Sequence, residues 1–322
     1  MRSILRSVSF ALLSLAPLGA TAQTYPDKPI KMIVANTPGT SHDLFAREVA
    51  PKAAEILGQP IVIDNRGGAG SIIGTEIGGR STPDGYTIVL GTGQSHAINV
   101  GLHKTLPYDP VADFTPVARL AAVPLVMVVT ASLPVKTVAE LVALAKAKPG
   151  QLNFASSGNG TSAHLAGELF KTRAGVNIVH VPYKGASQAL TDLIAGTVPL
   201  MIYPYQPLSP FINSGKVTAL ALAGLQRGSY LPNVPTMIES GFPDFVMAAW
   251  FGLWGPKGMP RPIVDKLHAA FSRALSDPAI KARLAVTGTD LWLSSPEQLG
   301  EFTRSEIDRY RKLIEISGAK VD

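Results

Sequence analysis

No cysteine occurs among the 322 residues, so no disulfide and no lipoprotein-type lipid attachment is available, and the core alone must hold the fold. Long apolar runs are also missing. The one sizeable run, residues 8–18, is shorter than a bilayer requires. Lysine and arginine form no continuous stretch, and the formal charge of +6 falls to +4 once Arg2 and Arg6 are discounted. That mild excess suits small anionic ligands and gives no ground for nucleic-acid binding. The histidines are scattered without metal-ligand spacing, so neither a metal nor a cofactor is expected. Neither an internal repeat nor a low-complexity linker is visible.

What is present begins with Arg2 and Arg6, the apolar run over 8–18 and the small-x-small pattern Ala20-Thr21-Ala22. Together these predict a signal peptide over residues 1–22, cleaved before Gln23. Roughly 300 residues remain, which suits two domains with ample burial. Along them, short β-rich runs alternate with helical periodicity. Strands are expected over 30–35, 61–64, 86–90, 123–129, 176–181, 200–203 and 217–222, and helices over 44–57 and 189–194. The segment 227–245 reads as turns, and the last eighty or so residues read as helices over 261–275, 278–286 and beyond Ser295-Pro296-Glu297-Gln298. Thr137 and Glu140 form a second capping-box pattern. This alternation predicts an α/β protein with largely parallel sheets.

Two of the strand-to-helix loops carry the same chemistry. One reads Asn36-Thr37-Pro38-Gly39-Thr40-Ser41-His42-Asp43 and the other Ser156-Ser157-Gly158-Asn159-Gly160-Thr161-Ser162-Ala163-His164. Glycine lets backbone approach a ligand, and the following helix leaves its first N–H groups unpaired at the positive end of its dipole. Two such loops face to face would clamp a small carboxylate. Gly93-Gln94-Ser95-His96-Ala97 approaches a nucleophile elbow, which keeps open a secreted serine hydrolase using Ser95, although no supporting acid and histidine follow in order. The stretch from Arg66 to Gly74 has one residue too many for a dinucleotide fingerprint and reads as a tight turn into a helix bordering the ligand. Trp254 reads as core, whereas Tyr203 ends a strand, where ligands of open α/β sheets sit.

Several motifs, in order along the mature chain, resemble the Bug family of periplasmic receptors of tripartite tricarboxylate transporters. They are Tyr25-Pro26-Asp27-Lys28-Pro29-Ile30, Pro60 to Gly70, Ser81 to Thr87, Leu106 to Pro110, Ser156 to His164 and His180-Val181-Pro182-Tyr183-Lys184-Gly185. The resemblance implies a type II-like periplasmic binding protein, with two Rossmann-like lobes joined by a hinge that close around a carboxylate. It implies lobe 1 from residues 23–122 plus 247–322 and lobe 2 from 123–246. It further implies a monomer in the periplasm, feeding a two-component membrane permease; a receptor feeding a sensor kinase has the same sequence signature. The residues it assigns to the ligand are Pro38, Gly39, Thr40, Ser41 and Asp43 from one lobe and Ser156, Ser157, Asn159, Gly160, Thr161 and His164 from the other, with Ser95 and His96 lining the cleft. Asp43 is expected to cap its helix or hold a bridging water, because a carboxylate repels an anion. Two positions depart from the family pattern: Thr40 stands where a glycine is usual, and Tyr203 where an aspartate is usual. The resemblance implies a di- or tricarboxylate or an aromatic carboxylate as ligand, and a tyrosine at 203 implies that amino acids bind poorly and that an aromatic or medium-chain aliphatic carboxylate is favoured.

Overall fold

A computed structural model describes residues 25–321; the expected signal peptide over 1–22 lies outside the described residues. In chain order the first half contains β1 (Ile30–Val34), α1 (Ser41–Leu57), β2 (Ile61–Asn65), α2 (Ile72–Gly79), β3 (Thr87–Thr92), α3 (Asn99–Leu102), β4 (Phe114–Thr130), α4 (Val138–Ala147), β5 (Asn153–Ser156) and α5 (Ser162–Ala174). The second half contains β6 (Val179–Pro182), α6 (Ala186–Ala195), β7 (Leu200–Pro204), α7 (Tyr205–Asn213), β8 (Val217–Leu222), β9 (Ala248–Pro256), α8 (Arg261–Ser276), α9 (Pro278–Val286), β10 (Asp290–Leu291) and α10 (Pro296–Ser317). Among the described residues no helix is long and apolar enough to cross a membrane.

Helix ends follow the local chemistry of the sequence. Gly58 stops α1 in the left-handed region at φ 76°, its N–H donating to Ala54. Ser295 and Gln298 make a reciprocal capping box at α10. At α4 the Glu140 backbone donates to the Thr137 hydroxyl as expected, but the Glu140 carboxylate accepts from the Lys136 N–H, one residue before the cap.

The strands form one curled sheet in the order β2-β1-β3-β9-β4-β7-β5-β6, with β8 and β10 also paired to β4. Its two ends are parallel, β2-β1-β3 and β7-β5-β6. The middle is antiparallel, which corrects the expectation of a largely parallel sheet. The cause is connectivity. The chain leaves one parallel half along the 17-residue β4 and returns along β9, so the two crossing strands run in opposite directions.

Partners change along β4. Residues 114–124 pair with β9, and residues 125–130 pair with β7 and β8. At the changeover three backbone groups close a ring: Leu125 N–H donates to Met247 (3.1 Å), Met247 N–H to Ala223 (2.8 Å) and Ala223 N–H to Leu125 (2.7 Å). Every residue of β4 from Val117 to Thr130 except Arg119 and Pro124 is buried, so the crossing strand is core on both faces. Trp250, Phe251 and Trp254 of β9 are likewise fully buried. The fold therefore presents the carboxyl ends of β1, β2 and β3 on one half toward those of β5 and β6 on the other.

Candidate functional site

The loop after β1 and the loop after β5 share one hydrogen-bond frame. Thr40 and Thr161 are the N-caps of α1 and α5, with backbone angles of −73°/160° and −73°/159°. Each threonine hydroxyl donates to the carbonyl three residues earlier, Thr37 at 3.0 Å and Gly158 at 2.8 Å, and accepts the N–H three residues later, from Asp43 at 3.5 Å and His164 at 3.3 Å. The preceding glycines, Gly39 and Gly160, sit at φ 80° and 77°, a region open to glycine without strain. Their N–H groups donate to Asp43 Oδ2 (2.9 Å) and His164 Nδ1 (3.1 Å). Asp43 thus anchors its own loop, and the cap of α1 is Thr40, not the Asp43 carboxylate expected to cap the helix or hold a bridging water.

Electrostatics support both frames. Burial opposes ionisation of Asp43, but hydrogen bonds from Arg47 and Gly39 outweigh it and hold the carboxyl below its ordinary value. Under the second loop His164 and His180 stack with centroids 4.1 Å apart. His180 Nε2 lies 2.7 Å from Ser156 Oγ, which in turn bonds Gly158. Burial keeps both rings neutral, lowering His164 and taking His180 down to about 3. Neutrality is required, since a protonated Nδ1 on His164 could not accept the Gly160 N–H.

These loops face a cavity of about 480 Å³. Of the predicted residues, Thr40, Ser157, Asn159 and Thr161 line it. Pro38, Gly39, Ser41, Asp43, Ser156, Gly160 and His164 do not line it; they build the loops that present those four. A methyl added to Gly185 would lie 3.4 Å from Thr37 Oγ1, one on Gly70 would lie 3.8 Å from the Asn159 carbonyl, and one on Gly160 would lie 2.9 Å from Leu102 Cδ1. The two halves therefore meet on several sides of the space.

Three predicted residues do not reach the cavity. Ser95 and His96 are fully buried, because the Ser95 hydroxyl bonds Thr92 N–H (3.0 Å) and the His96 ring stacks on Trp254 (3.9 Å). Ser95 Oγ and His96 Nδ1 are 2.8 Å apart, but no carboxylate bonds the pair and no open path reaches it, so the elbow-like motif is scaffold. Burial holds His96 neutral, at about 3. Tyr203 is 5% exposed, lies near Ser157 and does not line the cavity. Burial pushes its phenol up to about 12.

The remaining lining comes from residues outside the predicted ligand set. Gly68, Ala69, Gly70 and Ser71 do border the cavity, as the turn reading of that stretch anticipated. Gln94, His103 and Val321 carried no signal. Tyr183, Lys184, Gly185 and Ala186 follow β6 and open α6, so the strand-to-helix logic that found the other loops applies to them too. Among the described residues, Lys184 contributes the one lysine or arginine of the lining, and no aspartate or glutamate lines it. Among the described residues no cluster of histidine, aspartate or glutamate is arranged to hold a metal.

Comparison with known proteins places this geometry. Residues 45–319 match the family model described as the tripartite tricarboxylate transporter family receptor. The chain is 38% identical over 302 residues to protein BugT of Bordetella pertussis, covering 94% of this chain and 93% of that one. A Rhodopseudomonas palustris protein solved with adipate, Rpa4515, superposes with a TM-score of 0.89 at 36% identity, covering 92% of this chain and all (100%) of that one. MatC of the same organism, solved with bound malate, superposes with a TM-score of 0.85 at 33% identity over 90% of this chain and 100% of that one.

Proposed function

Because the chain belongs to the tripartite tricarboxylate transporter receptor family, a family of periplasmic solute-binding proteins and not of enzymes, we propose that it captures a small carboxylate in the cavity between its two halves. The observation that carries this reading is the pair of matched loops, each offering a capped helix N-terminus to one space whose lining, among the described residues, includes Lys184 and no acid. Thr40 and Thr161 keep their hydroxyls for the loop frame, so the anion is met chiefly by backbone N–H groups, Ser157 and ordered water.

On this reading residues 23–122 and 247–322 form one lobe, 123–246 the other, and the backbone ring at Leu125, Ala223 and Met247 is the hinge. Closure brings both loops onto one carboxylate, and the ligand shifts the open-to-closed equilibrium by its preference for the closed form. The mature protein is an exported periplasmic monomer that delivers its cargo to a two-component permease. The favoured cargo is a medium-chain aliphatic or aromatic carboxylate; relatives solved with adipate and malate support the acid class.

Calorimetric titration with adipate, malate, citrate and terephthalate tests the reading. At least one should bind, and Ser157→Ala and Thr161→Ala should each weaken it without unfolding the protein. Unchanged affinity in both variants would overturn the site assignment. Binding also raises the melting temperature, by the equivalent of about 2.7 kcal/mol at a hundred times the dissociation constant.

A further inference from the structure

The turn after β3 leaves one polar group unexplained. Residues Gln94–Ile98 form a π-helical turn, a rare geometry. Ser95 and His96 point away from the cavity, tied to Thr92 and Trp254, and Tyr108 donates to the Ser95 carbonyl at 2.8 Å. With the turn pinned on that side, Gln94 faces the cavity and lines it while remaining only 8% exposed. Its Nε2 is buried and has no hydrogen-bond partner. The amide lies against Gly70, where an added methyl would be 3.0 Å from Nε2. Gly70 faces Asn159 of the other half across the same space.

A buried amide donor without a partner is destabilising, which gives the site a standing demand for an acceptor. The carboxylate that the two matched loops receive lies at the Thr40 and Thr161 helix ends. Gln94 comes from a different strand end, and among the described residues no acid in the lining competes for it. Resting on the carboxylate reading above, we infer that Gln94 is a specificity-determining residue that receives a second oxygen acceptor, the distal carboxylate of an α,ω-dicarboxylate. The ligand is then held at both ends, by loop backbone at one and by the Gln94 amide at the other. A monocarboxylate of equal length leaves the amide unpaired in the closed site, so the preference for the diacid is a difference between a satisfied and an unsatisfied buried donor.

The test measures affinities for saturated dicarboxylates of four to ten carbons and for the matching monocarboxylates, on the wild-type chain and on Gln94→Leu and the isosteric Gln94→Glu. In the wild type the best diacid should bind at least tenfold tighter than its monoacid. Gln94→Leu should collapse that ratio toward one, and Gln94→Glu should invert it at neutral pH by placing like charges together. A ratio near one in the wild type, or a ratio unmoved by both substitutions, would overturn the inference and leave the carboxylate reading intact. So would equal weakening of both ligand classes with a lower melting temperature, which would mean that Gln94 serves the fold by pairing with the unpartnered Asn99 Oδ1 nearby. Failure of the whole series to bind would sink both readings together.

Discussion

Asp43 and His164 accept equivalent backbone N–H groups, from Gly39 at 2.9 Å and from Gly160 at 3.1 Å, so a carboxylate and a neutral imidazole fill one role in two copies of a loop. What the position requires is an acceptor, whatever its charge. His164→Asn keeps an acceptor and should retain ligand affinity within a few-fold. His164→Ala removes it, and we expect about 1 kcal/mol of lost stability together with a roughly tenfold loss of affinity. Paired thermal melts and adipate titrations check both effects; an alanine variant that binds as well as the asparagine variant would show the glycine N–H needs no anchor.

Acid should destabilise the protein over a definite window. Burial lowers His42 to about 4 and His96 and His180 to about 3, from an ordinary 6.5. The folded chain keeps these rings neutral where the unfolded chain protonates them, so between about pH 6.5 and pH 3 the unfolded state binds more protons. The stabilisation is present in full above 6.5 and is lost progressively as pH falls through that window. Melting temperatures should therefore decline steadily from pH 7 to pH 4, and His180→Gln should flatten the slope. A flat profile over that range would contradict the burial of the rings.

Much of this was legible in advance because it is local. The stop at Gly58 and the cap at Ser295 depend on residues within one turn, and so do the matched loops. The antiparallel centre of the sheet was not legible, since it follows from β4 and β9 pairing over a separation of more than a hundred residues. Ser95, His96 and Tyr203 were placed beside the ligand because motif position locates a strand end but not the side on which a side chain emerges. The π-helical turn at Gln94–Ile98 rotates Ser95 and His96 inward, and no periodicity announces it. Val321 reaches the cavity from the end of the chain, a contact that only the packing of α10 creates.

Gly74 shows a glycine kept for proximity. Its α-carbon lies so close to β1 that an added methyl would sit 2.5 Å from the Arg66 carbonyl and 2.8 Å from Ala35 Cα. Both neighbours are backbone and cannot swing aside. Gly74→Ala should destabilise the fold by about 1–3 kcal/mol through overpacking. Urea unfolding measures this; an unchanged midpoint would mean that α2 can shift away from β1 freely.

Trp250 on β9 donates its indole N–H to Glu306 on α10 at 2.7 Å, and the same carboxylate pairs with Arg309 at 2.6 and 2.9 Å. Glu306 is 6% exposed, so its removal strands a buried indole donor and a partly buried guanidinium. Glu306→Ala should cost about 3–5 kcal/mol, whereas Trp250→Phe, which removes one donor along with its need, should cost nearer 1 kcal/mol from the hydrogen bond. Equilibrium unfolding in urea distinguishes the two; equal losses would mean that ring packing, and not the carboxylate, dominates at this contact.

The choice between acids and amino acids rests on what the cavity lacks. Tyr203 holds the position where the resemblance leads one to expect an aspartate, and it lies buried near Ser157. Among the described residues no aspartate or glutamate lines the space, and Lys184 adds a positive charge at its edge. An ammonium group enclosed there meets no carboxylate, and its desolvation goes uncompensated. Glutarate and glutamate are equal in chain length and differ by that one group, so their comparison isolates it. Glutarate should bind at least tenfold more tightly, a difference of about 1.4 kcal/mol. The gap should stay unchanged in Lys184→Met if the missing acid is the main cause, and it should narrow if repulsion from Lys184 is. Glutamate binding as tightly as glutarate to the unaltered protein would mean that a neutral acceptor, such as the Asn159 carbonyl, receives the ammonium, and that the absence of an acid in the lining does not decide specificity.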